Sequence, residues 1–181
     1  MPSLHEAGVK GIYDIEVCST DKVTIQQLPS TVSHSIAGEC VEGHCGGSHI
    51  SPNWEKNPKY LLTLRQSETP DLALPTPFQI KLSRNGTSWE KLLRADSVGC
   101  MIGFCIFILH ASGEMTPFYE TTFAPSIEVC AEPEFSLQPL QALESYVVMP
   151  TAFAENKQGS FILSFIADCE YTVLKEKVVH K

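Results

Sequence analysis

The chain has 181 residues, 43% of them hydrophobic and 19% charged, with a formal net charge of −8; this length and balance fit one domain with its own core and exclude a disordered chain. The acidity, without any basic motif interleaved with stacking aromatics, argues against nucleic acid as a partner. Seven cysteines in no spacing framework point to reduced thiols and a cytoplasmic setting, the opening MPSLHEAGVK lacks the features of a secretory signal, and the longest apolar run, Val98 to Leu109, is too short to cross a bilayer as a helix.

Residues 11–17 (GIYDIEV) set Tyr13, Ile15 and Val17 against Asp14 and Glu16, the period-2 signature of a half-buried strand. Strands are expected again at Val23 to Leu28 and Thr31 to Ala37. Gly38 to Pro58, rich in Gly, Pro and Asn, reads as a loop, after which Tyr60, Leu62 and Leu64 resume the alternation. The prolines of Ser67 to Pro77 mark an exposed connection. Phe78, Ile80 and Leu82 form the next strand, closed by the turn signal Arg84-Asn85-Gly86. Asn85-Gly86-Thr87 also spells an N-glycosylation sequon, which a chain without a secretory signal does not use. Ser88 to Ala95 places Trp89, Leu92 and Leu93 at helical spacing and is the helical candidate. Val98 to Leu109 reads as a buried strand, the chain turns at Ser112-Gly113, and Phe118 to Phe123 is a further strand. Glu132 to Pro139 reads as a loop with an extended piece at Phe135 to Leu137.

The clearest pattern lies in Glu144 to Ala167. Tyr146 to Met149 is β-branched and aromatic, and Pro150 closes it; Phe161, Leu163 and Phe165 alternate with Ser160, Ile162, Ser164 and Ile166. Glu155 to Gly159 lies between, so the pair reads as a hairpin in which Gly159 supplies a positive φ. Tyr171 to Leu174 adds an edge strand. About eight short strands separated by turn signals predict an all-β fold, an antiparallel β-sandwich.

Charge is distributed unevenly. Ala95 to Asn156 contains no Lys or Arg but eight acids, whereas Lys56 to Arg94 holds seven cations against Glu68, Asp71 and Glu90. Either the domain is polarised, or the strands disperse these charges over different faces. Cys40, His44, Cys45 and His49 are four donors within ten residues and make a zinc candidate, although the spacing departs from the paired C-x2-C or H-x3-H pattern of structural sites. No cysteine stands in a recognisable catalytic context, Cys100 and Cys105 lie in an apolar strand where burial raises a thiol pKa, and no D-x-D-x-D-G loop offers calcium a cage.

Two stretches together resemble the C2-like domain of calpains, domain III. One is Cys45-Gly46-Gly47-Ser48 followed by Trp54-Glu55-Lys56-Asn57-Pro58-Lys59-Tyr60-Leu61-Leu62-Thr63-Leu64; the other is Tyr146-Val147-Val148-Met149-Pro150-Thr151-Ala152-Phe153 with Gly159-Ser160-Phe161-Ile162-Leu163. Ile102-Gly103-Phe104 is similar to a third family strand, and the likeness runs from Ile36 to Ala167. Cys40 stands where the family often has Trp, and Cys45 where it has Ala. The acidic loop that better-known calpains use for calcium and phospholipid corresponds to Gln66 to Pro75, which keeps only Glu68 and Asp71.

The resemblance implies a C2-like sandwich over residues 36–175, with 1–35 as an extension or extra strands and 176–181 as a charged tail. It also implies a non-catalytic regulatory or interaction domain of a calpain-like cysteine peptidase, because the protease motifs are absent. No cofactor is expected; calcium is the ion the resemblance would bring. Expected partners are a protease core or other protein domain and an anionic membrane surface met peripherally, with Lys56, Lys59, Lys81, Arg84, Lys91 and Arg94 as the lipid contacts. The alternatives are a protein-binding module using the acidic segment or a sheet edge, and a zinc-stabilised domain.

Overall fold

A computed structural model describes residues 18–20, 22, 31–64, 75–86, 93–132, 134–138, 140–141 and 143–176. The strands expected at 11–17 and 23–28 lie outside these residues, as does most of the helical candidate, of which residues 93–95 are helical. The described strands are β1 (Val32–Cys40), β2 (Tyr60–Leu64), β3 (Thr76–Asn85), β4 (Ile102–Leu109), β5 (Met115–Glu120), β6 (Glu128–Cys130), β7 (Ser136–Leu137), β8 (Ser145–Ala152), β9 (Gly159–Ala167) and β10 (Tyr171–Lys175). They form two antiparallel sheets. The first runs β1-β9-β3-β6, with β7 also pairing β3, and the second runs β10-β2-β8-β4-β5.

Alternation assigns each strand its inner face. Tyr60, Leu62, Phe104, Ile106 and Val148 from the second sheet meet Ile80, Leu82, Leu163 and Phe165 from the first in one core cluster. Each such side chain contributes roughly 1.5–3 kcal/mol on burial. The run in β4 is apolar at every position because both of its faces are covered. Phe104 and Ile106 point into the core, while Cys105 and Phe107 point outward into a second cluster with Val147 and Met149. The segment between β1 and β2 folds over that outer face, and Trp54, in a single 3-10 turn (Trp54–Lys56), stacks on Phe107 at a centroid distance of 4.7 Å.

The expected hairpin of Glu144 to Ala167 is corrected. β8 pairs with β2 and β4, whereas β9 pairs with β1 and β3, so the polar segment between them crosses from one sheet to the other. Its left-handed residue is Asn156, at φ 61, and not Gly159, which already belongs to β9. Nor does Pro150 end its strand. It stands opposite Phe104, whose backbone N–H and C=O are engaged by Thr121 on the far side, and β2 pairs with β8 only as far as Val148. The missing proline donor therefore falls where no partner strand remains.

Candidate functional site

Segments 41–59, 93–101, 121–127 and 153–158 all gather at one end of the sandwich, because β1, β3, β5 and β8 finish there while β2, β4, β6 and β9 begin there. A buried polar knot holds this end together. The Gly46 N–H donates to Asn57 Oδ1 at 2.8 Å, Asn57 Nδ2 donates to the Gly47 carbonyl at 2.6 Å, and the Thr151 hydroxyl donates to the same carbonyl at 2.9 Å. Gly47 adopts φ +79, and a Cβ on Gly46 would run into the Asn53 carbonyl. The Gly-Gly turn, the Asn-Pro and the Pro-Thr of the resemblance are thus three sides of one contact. Glu155 extends it by accepting from the Ser51 hydroxyl and from Asn53 Nδ2; these bonds hold its carboxyl below the ordinary value of 4.5.

The outer surface of this end carries Val41, Ile50, Val98, Ile127 and Phe153, all exposed, Ile50 and Ile127 at 73% and 75%. Its charges balance. Glu42, Glu55, Asp96 and Glu155 oppose Lys56, Lys59, Arg94 and Lys157 over residues 41–59, 93–101, 121–127 and 153–158, so the loop end is nearly neutral in a chain of net charge −8.

Of the six cations expected at a lipid surface, the five among the described residues do not form one patch. Lys56 is exposed on the 3-10 turn, and Lys59 lies 3.7 Å from Glu176. Lys81 faces outward from the first sheet, 3.4 Å from Glu128. Arg84 follows the inward register of Ile80 and Leu82, and its guanidinium ties β3 to the segments before β4 and β6 by donating to the Cys100 carbonyl at 2.6 Å and the Ser126 carbonyl at 2.7 Å. Arg94 is exposed at the loop end, and Lys91 lies outside the described residues.

The donors of the zinc quartet also fall at different places in the fold. Cys40 and Cys45 belong to the core between the sheets, where the hydrogen bond between their sulfurs, together with burial, pushes the Cys40 thiol far up. His49 instead lies beside Cys105 and Glu120 on the outer face of the second sheet, away from the sulfurs of Cys40 and Cys45. Among the described residues the donors that do converge are His49, Cys105 and Glu120, whose ligand atoms all lie within 4.8 Å of one another. His49 Nδ1 is 2.7 Å from Glu120 Oε1, and Cys105 Sγ donates to the same oxygen at 3.5 Å. Burial, with Glu120 beside it, pushes the Cys105 thiol up to about 12.

A β-bulge makes this triad. Leu109↔Met115 and Phe107↔Pro117 continue as Ile106↔Tyr119 and Cys105↔Glu120, with Phe118 as the extra residue. Were Phe118 paired in register with Ile106, Tyr119 would stand opposite Cys105. With the bulge, Tyr119 packs against the core and on Phe135, the partly exposed ring of Phe118 also meets Phe135, and the carboxylate faces the thiol. Sequence reasoning missed the triad because nothing in the apolar β4 run or in β5 announces a one-residue slip.

Two antiparallel sheets packed on one core, with the connecting loops collected at an end, define a C2-like β-sandwich. The model of the calpain large subunit, domain III, matches residues 36–166, and the chain belongs to that family, whose domain III is non-catalytic. Among curated proteins no match is found. No helix among the described residues is long and apolar enough to cross a membrane, which says nothing of crossing by strands.

Proposed function

We propose that this chain is a regulatory docking domain of a calpain-like cysteine peptidase that meets a membrane peripherally, in the cytoplasm, through the loop end of the sandwich. The observation that carries this reading is the set of five exposed apolar side chains, Val41, Ile50, Val98, Ile127 and Phe153, at one end. Scattered exposed apolar residues are ordinary, but residues at the tips of neighbouring loops can enter one interface together. Charge supports the direction of approach. The loop end is nearly neutral, so anionic headgroups do not repel it as they repel the acidic remainder, and Lys56 and Arg94 each contribute on the order of 1 kcal/mol near such a surface. Lys59, Lys81 and Arg84, engaged with Glu176, Glu128 and backbone carbonyls, contribute less.

Sedimentation with phosphatidylserine-containing and neutral vesicles, at low and high salt and with and without calcium, tests the reading. Binding that survives high salt better than a purely ionic attachment is expected, because apolar insertion is not screened. Absence of binding to either vesicle at low salt removes the membrane and leaves a protein surface, such as the protease core, as the partner.

A further inference from the structure

We propose that His49, Cys105 and Glu120 form a binding site for a borderline divalent transition-metal ion of the zinc class, on the outer face of the second sheet. The donor types are thiolate, imidazole and carboxylate, a set that suits zinc and its cobalt surrogate and suits neither calcium nor magnesium, which take oxygen alone. A histidine–carboxylate hydrogen bond on a surface needs no metal; the third donor sets this group apart. Cys105 is 4% exposed, fixed in the middle of β4, and aims its sulfur at the oxygen that His49 also contacts.

The three donors come from different levels of the fold. β4 supplies the sulfur, the end of β5 supplies the carboxylate through its bulge, and the loop over the outer face supplies the imidazole. In a zinc tetrahedron with bonds of about 2.0–2.3 Å, neighbouring donors stand roughly 3.3–3.6 Å apart. The Cys105–Glu120 separation of 3.5 Å already fits, and the His49–Glu120 separation of 2.7 Å must open. The side chains that would move are the accessible ones, His49 at 41% and Glu120 at 34%, while the buried sulfur stays. Pro117 and Tyr119 help line an open pocket of about 220 Å³ beside the triad, which leaves room for water as a fourth ligand. On coordination the Cys105 thiol proton passes to solvent, and the bound ion ties the 41–59 loop to the sheet it covers.

The test uses the full chain, kept reduced without thiol reagents and titrated with zinc and with cobalt(II). One equivalent of zinc is expected, and the cobalt complex should show a thiolate-to-metal charge-transfer band with the strong visible absorption of four-coordination. His49→Ala, an accessible change that circular dichroism can confirm as folded, should weaken binding about tenfold or more, as should Glu120→Gln. Cys105→Ser should abolish the charge-transfer band, and Cys40→Ser should leave it. A cobalt complex without that band, a band that persists in Cys105→Ser, or wild-type affinity in His49→Ala would each overturn the site. The result is independent of vesicle binding, so the two proposals fail separately.

Discussion

Asn57 is a buried carboxamide whose oxygen accepts from the Gly46 N–H and whose nitrogen donates to the Gly47 carbonyl. Neither glycine group has another route to solvent once Ser48 and Thr151 close over the turn, so losing the carboxamide strands a donor and weakens a carbonyl. Asn57→Ala should lower the unfolding free energy by about 2–4 kcal/mol, read from the urea midpoint at constant slope. A change within about 0.5 kcal/mol would mean that the loop end relaxes without the knot. Carboxylates give the pH dependence. Glu144, hydrogen-bonded to His110, and Glu155, hydrogen-bonded to Ser51 and Asn53, are both held below 4.5. A carboxylate depressed in the fold stabilises it above the unfolded-state value and loses that contribution as the pH falls through the folded value. Stability should therefore decline on acidification below about pH 4.5, and Glu155→Gln should flatten that decline while also lowering stability at neutral pH.

At the level of elements, the alternating strands were legible because one face of each is buried: Tyr60/Leu62/Leu64, Phe78/Ile80/Leu82 and Phe161/Leu163/Phe165 all keep the faces that their sequences announce. The short edge strand at Tyr171 was legible too. The hairpin was not. A polar segment between two apolar runs looks the same whether the chain returns within a sheet or crosses to the opposite one, and only the strand pairing distinguishes the two. The triad stayed hidden for a related reason, since it depends on a bulge and on which face a loop covers. Two changes at Phe118 probe the bulge. Phe118→Ala removes a partly exposed ring from Phe135 and Tyr146, costs about 1–3 kcal/mol and leaves metal affinity intact. Deleting Phe118 removes the extra residue, leaves Ile106 opposite Tyr119 and Cys105 opposite Glu120 in a regular ladder, and should keep metal binding, measured by the cobalt charge-transfer band.

Across the whole molecule, the acidic and basic segments of the sequence interleave instead of forming two poles. Lys81 of the basic segment reaches Glu128 of the acidic one, and Asp96 is paired at 2.8 Å with Lys157 from the sheet-crossing loop. Of the eight exposed large apolar side chains among the described residues, five lie on the loops of the end where the family motifs knot together, and Phe118, Leu143 and Leu174 lie elsewhere. If that end docks, substitutions there should matter and substitutions on the sheet faces should not. The most direct measurement is vesicle co-sedimentation of three proteins: the unaltered chain, the double variant Ile50→Asp with Val98→Asp, and Lys81→Glu on the outer face of the first sheet. Docking through the loop end predicts that the double variant loses about tenfold or more in partitioning, as burying a charge in place of an apolar side chain requires, while Lys81→Glu stays within about twofold of the unaltered chain. Equal binding by the double variant, or a larger loss in Lys81→Glu, would contradict it.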